Sequence, residues 1–121
     1  MYEDLQKAHA SIQLPYIDFG GILVDDKLLP NLHIPLILKQ FNRHGLVAGA
    51  TGTGKTKSLQ VLCEQLSLAG VPSLIMHMKG DISGLAMPGV ENPKIIERCQ
   101  ELGLSFNPKS FPVEFLSLTL P

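Results

Sequence analysis

Residues 49–56 read Gly-Ala-Thr-Gly-Thr-Gly-Lys-Thr. They fit the pattern G-x-x-x-x-G-K-[ST] at every fixed position, and each residue type there has a physical task. Glycines at 49, 52 and 54 reach backbone angles that side chains resist, and they clear the space a phosphate needs. Peptide N–H groups in such a loop turn inward as an anion-binding nest. The positive end of a following helix adds to that field. Lys55 brings a mobile point charge for β- and γ-phosphates, and the Thr56 hydroxyl is a hard oxygen donor suited to Mg²⁺. The expected cradle for ATP (or GTP) is therefore Gly49, Ala50, Thr51, Gly52, Thr53, Gly54, Lys55, Thr56 and Lys57, with Thr56 as the metal ligand. With glycine at ~7%, lysine at ~6% and serine plus threonine at ~12%, a chance match arises on the order of once in 200–300 chains of this length, so the motif carries information.

A second cluster, Lys79-Gly80-Asp81, follows the apolar run 71–78. Doubly wound sheets place ligands just past such runs. Asp81 is thus a candidate catalytic group beside Lys55, acting near the γ-phosphate or on Mg²⁺ through a water. The plain alternative is a polar loop with a glycine turn. Hydrolysis also asks for an acid that anchors the metal shell, usually at the end of a buried strand. No Asp-Glu dipeptide occurs, and the run 113–120 ends in Leu120-Pro121. Ile22-Leu-Val-Asp-Asp26 has the look of such an acid motif but reads better as a strand entering a hairpin turn.

The other chemistry-bearing residues read as structural. His9, His33, His44 and His77 lack metal-ligand spacing, and His77, inside an apolar run, reads as a core or edge histidine. Cys63 and Cys99 lie 36 residues apart with no Cys-x-x-Cys, so they read as reduced core thiols. Met76, Met78 and Met87 read as packing residues. Arg43 and Arg98 are the only arginines, and Arg43 reads as solvated.

The elements that must hold the loop follow from periodicity. A short helix over Glu3–Ile12 stops before Pro15. Apolar runs 16–24 and 28–38, broken by Asp25-Asp26-Lys27, predict a hairpin, with Pro30 and Pro35 making the second run an edge or irregular strand. Gly45-Leu-Val-Ala48 is a short strand leading into the loop. Lys55–Ala69 carries Leu59, Leu62, Leu66 and Ala69 at helical spacing, with Gln60, Glu64 and Gln65 on other faces and Gly70 as the stop. The run 71–78 has the continuous apolar character of a strand buried on both faces. Strand, loop, helix and strand make a βαβ unit. Asn92-Pro93 opens a further helix that presents Ile95, Ile96, Cys99 and Leu102 on one face and ends at Gly103. Residues 113–120 alternate as a last strand.

The chain has 121 residues, 45% hydrophobic and 17% charged, with a net charge of −1. That balance fits one small soluble domain and excludes a disordered chain. No apolar run approaches the ~18–20 residues of a membrane span. The acidic start MYEDLQKAHA lacks a signal-peptide core, so a cytoplasmic location is expected. Ten basic and eleven acidic residues give no overall attraction to nucleic acid.

With these residues in view, the sequence resembles the bacterial HerA-like helicase C-terminal domain family, in the HerA–FtsK group of P-loop ATPases. The resemblance rests on Asn42-Arg-His-Gly-Leu-Val-Ala-Gly-Ala-Thr-Gly-Thr-Gly-Lys-Thr56, Leu59-Gln-Val-Leu62, Ala69-Gly-Val-Pro72 and Met78-Lys-Gly-Asp-Ile-Ser-Gly-Leu85. Asn92-Pro-Lys94 and Phe111-Pro-Val113 add to it, and together they cover roughly residues 28–121. The resemblance implies an α/β P-loop NTPase-type parallel sheet with flanking helices, ATP with Mg²⁺ as ligands, assembly into a homo-oligomeric ring, and action on DNA by family analogy. Family members often carry an acid where this chain has His77. The family's acidic strand motif, sensor residues and arginine finger fall beyond Pro121, so the chain reads as a truncated, N-terminal portion. The expected organisation is a β-rich lead-in over 1–42, with its hairpin at about 16–38, followed by the P-loop portion over 43–121. The expected function is nucleotide binding by this chain and ATP hydrolysis by the full-length protein. Two rivals stand beside it: a nucleotide-binding remnant or scaffold without turnover, and a small nucleotide kinase, which would need more arginines than two.

Overall fold

The computed structural model of the chain describes residues 2–77 and 80–117. Its order is α1 (Tyr2–Ala10), β1 (Tyr16–Val24), β2 (Lys27–Ile37), a 3₁₀ turn at Leu38–Asn42, α2 (Lys55–Leu68), a second 3₁₀ turn at Asp81–Ala86 and α3 (Pro93–Glu101). It is a small α/β arrangement with one two-stranded sheet.

β1 and β2 pair antiparallel, from Tyr16 opposite Ile37 to Val24 opposite Lys27. Asp25 and Asp26 close the hairpin with φ of 49° and 59°. Positive φ at both central residues is what a two-residue turn between right-twisted strands requires. Pro30 lacks an N–H for the ladder, and the register shifts around it: Ile22 faces Leu29 while Gly21 faces His33.

α1 places Glu3 and Asp4 in its first turn and Lys7 and His9 in its last, matching the helix dipole. It lies along β2. The Tyr2 hydroxyl reaches the Pro30 carbonyl at 3.5 Å, and the His9 ring meets Tyr16 edge-on at 5.5 Å. α3 opens on Asn92, whose side-chain oxygen accepts from the Lys94 N–H at 2.9 Å, with Pro93 in the first turn. It ends with Leu104 N–H to Cys99 O at 2.8 Å and Gly103 N–H to Gln100 O at 3.0 Å. That end docks on the irregular part of the hairpin. His33 Nε2 donates to the Leu102 carbonyl at 3.0 Å, so the ring's proton sits on Nε2. A Cβ at Gly103 would collide with the Asn31 side-chain oxygen, so only glycine allows this approach.

The buried apolar residues are Ile17 and Leu32 of the hairpin, Leu66 of α2, and Ile82 and Leu85 of the 81–86 turn. α2 therefore packs between β1 and that turn.

The expected parallel sheet is not among the described residues. Segments 45–48, 71–77 and 113–117 run without strand pairing. A parallel strand needs neighbours along its edges and cover on both faces. Full cover is missing at several of their positions: Leu46 is 90% exposed, Leu74 84% and Met76 88%. Met76 and Met87 are accordingly not packing residues, and His77 is exposed, not held in a core. Met78, Lys79 and the end of the run 113–120 lie outside the described residues.

Burial predicts a contrast. Leu32→Ala should destabilise the chain by about 2–4 kcal/mol, whereas Leu74→Ala should change stability by less than about 0.5 kcal/mol. Urea unfolding of both variants checks this, and equal losses would contradict the packing described.

Candidate functional site

The glycine-rich loop runs directly into α2. Gly52 and Gly54 have φ of 83° and 93°, in the left-handed region where a side chain is strained. Gly54 is the residue from which α2 starts, and the first bond of the helix is Ser58 N–H to Gly54 O at 2.9 Å. The N–H groups of Lys55, Thr56 and Lys57 thus have no acceptor within the helix.

The loop closes on one atom. The Ala50 carbonyl accepts from the Thr53 N–H at 3.4 Å, the Thr53 hydroxyl at 2.8 Å and the Lys55 ammonium at 2.6 Å. A carbonyl oxygen has two lone pairs, so three donors overload it. The lysine is the mobile member of the three and the one a stronger acceptor would draw away. A Cβ at Gly49 would come within 2.6 Å of the Thr53 hydroxyl oxygen, so the loop has no room for a side chain there. Lys55 and Thr56 are half-buried, while Gly49–Gly54 and Lys57 are exposed.

Asp81 joins this helix from a distance in sequence. The Gln60 side-chain amide donates to the Asp81 carbonyl at 2.9 Å, and the Asp81 side chain stays exposed. Gln60 was expected away from the apolar face of α2, with Glu64 and Gln65. Instead it is 8% exposed, the buried polar side chain among the described residues. The available signal was its spacing of four from Thr56, which puts both on one face.

A separate groove of about 630 Å³ lies among Cys63, Glu64, Leu74, His77, Phe111 and Phe115. No residue of 49–56 lines it. Burial pushes the Glu64 carboxyl above its ordinary value, with the Lys57 ammonium pulling the other way. Burial, then the Glu64 charge, pushes the Cys63 thiol up, so it is a poor nucleophile. Among the described residues no group of three or more His, Cys, Asp or Glu could hold a metal, and no helix is long and apolar enough to cross a membrane.

The geometry is that of a glycine-rich loop running into the head of a helix whose first N–H groups have no helical acceptor. Compared with known families, residues 25–120 match the helicase HerA-like C-terminal family. The match spans most of the chain, which belongs to that family and so stands in a helicase- and ATPase-associated context. No curated protein and no solved structure matches the chain.

Glu64 sets a pH dependence. Its folded value is raised, so the stability tied to its neutral form is fully present below the ordinary glutamate value and is lost as pH rises through the folded one. Glu64→Gln should therefore raise Tm slightly at neutral pH, with the gain vanishing in acid. Melting curves across pH check this, and a gain independent of pH would contradict it.

Proposed function

We propose that the chain binds a nucleoside triphosphate with Mg²⁺ through Gly49–Lys57. The observation that carries this reading is the head of α2, where the N–H groups of Lys55, Thr56 and Lys57 lack helical acceptors and the Lys55 ammonium rests on an overloaded carbonyl. Backbone N–H groups and Lys55 would hold the phosphates, and the Thr56 hydroxyl would ligate Mg²⁺. The donor set fits such a group: amide and ammonium donors for anionic oxygens, and one hard hydroxyl for the metal. Bound Mg²⁺ would neutralise charge on the phosphates.

The parallel P-loop sheet belongs to this reading only for the full-length protein, in which further strands would pair the runs 45–48 and 71–77 that stand unpaired here. In the full-length protein the reading is an ATP hydrolase of the HerA-like class, a helicase or DNA-translocase motor. A homo-oligomeric ring and DNA as partner follow by family analogy alone. A non-catalytic nucleotide-binding scaffold is the second reading. It is favoured by Asp81, which opens a 3₁₀ turn and does not close a strand. Sustained phosphate release by the chain, lost in Lys55→Ala, would remove that second reading.

Ligand binding to the folded state stabilises by mass action, about 2.7 kcal/mol at a hundredfold excess over Kd. For a chain of this size that raises Tm on the order of 10 °C. MgATP should produce this rise in the wild type, and Lys55→Ala should remove most of it. An equal shift in the variant, or none in the wild type, would overturn the assignment.

A further inference from the structure

Gln60 stands at one of the two buried positions of α2, where a polar group is costly. A buried amide without a partner is destabilising, and an apolar residue would fill the same space without that risk. Here the amide is directed. Its nitrogen donates to the Asp81 carbonyl at 2.9 Å. The rest of the turn is held close over it: Ile82 and Leu85 are buried, and a Cβ at Gly84 would lie 3.8 Å from the same nitrogen. Gly80, at φ 74°, is the residue from which the Asp81–Ala86 turn starts. The backbone of Asp81 is therefore fixed to α2 while its carboxylate remains open to water. Thr56 lies four residues earlier on the same face, a rise of about 6 Å along the axis.

We propose that Gln60, one helical turn after Thr56, is a positioning residue that fixes the Asp81 backbone to α2, so that the Asp81 carboxylate and the Thr56 hydroxyl serve one metal–nucleotide site. This rests on the nucleotide reading above and adds to it a specific division of labour. The loop and Lys55 hold the phosphates without metal. Thr56, with Asp81 through water, contributes only when Mg²⁺ is present, and Gln60 keeps the second of these in register with the first.

The test is titration with a fluorescent ATP analogue, once with Mg²⁺ and once with EDTA. It compares wild type, Asp81→Asn, Gln60→Met and the double variant, after melting curves establish that each is folded. Metal-free affinity should stay within about twofold of wild type throughout. The gain on adding Mg²⁺ should fall roughly tenfold in each single variant, the range seen when groups behind a metal ligand are removed. The double variant should be no worse than either single one, because both remove one unit. Gln60→Glu keeps the shape and covers the case in which Gln60→Met does not fold. Its carboxylate cannot donate to the Asp81 carbonyl at about pH 8, but its protonated form can at about pH 5, since burial raises its pKa. The Mg²⁺ gain, relative to wild type at the same pH, should return in acid, which loss of packing alone would not produce. A full gain in Gln60→Met, losses that multiply in the double variant, or a pH-independent Gln60→Glu would overturn the positioning role. If the wild type binds no analogue, the nucleotide reading falls and takes this inference with it. If the wild type binds and Gln60→Met behaves identically, only the positioning role falls.

Discussion

The constraint on which the site depends is the set of amide N–H groups at the head of α2. A helix cannot satisfy its own first donors, and a chain that buries or crowds them must give them an oxygen. Here Gly52 and Gly54 turn the backbone through the left-handed region, so the loop reaches the helix without a side chain between them. The local acceptor is the Ala50 carbonyl, and it is already oversubscribed by Thr53 and Lys55. On the proposed reading, an anion with several oxygens takes the place of water at these donors. Ligand affinity, on this account, is the other side of an unsatisfied helix end.

The remainder of the fold keeps that helix in place. Leu66 anchors its second half in the core with Ile17, Leu32, Ile82 and Leu85, and Gln60 ties its first half to the turn at Asp81. The end of α2 is closed by Val71 N–H to Leu66 O at 2.9 Å, a glycine-terminated stop like that of α3. α3 is in turn held by the hairpin through His33 and the Leu102 carbonyl. Each helix thus has one end satisfied by its own backbone. The head of α2 has no side-chain cap among the described residues, while the head of α3 is closed by the Asn92 side chain.

Much of this was legible in the residue order. The loop, the hairpin turn at Asp25-Asp26, the Asn92-Pro93 start and the Gly70 and Gly103 stops are local signals, fixed by backbone angles and orphaned donors that a few neighbouring residues decide. The sheet was not legible in the same way. Continuous apolar runs such as 71–77 state that a segment wants cover, and they do not state that the described chain supplies it. Leu74 and Met76 remain in solvent as a result. Gln60 was missed for the opposite reason: a polar residue at helical spacing reads as a solvent-facing position until a distant carbonyl, here that of Asp81, is brought to it.

The groove beside Cys63 and Glu64, of about 630 Å³, is lined by none of the residues 49–56. Whether the groove or the loop takes a nucleotide is decided most directly by ¹⁵N–¹H correlation spectra of the chain titrated with Mg-ADP. The account predicts shifts concentrated at the amides of Gly49–Lys57, with the free donors of Lys55, Thr56 and Lys57 moving furthest. Unmoved amides there, or shifts confined to the Cys63–His77 and Phe111–Leu116 lining of the groove, would contradict it.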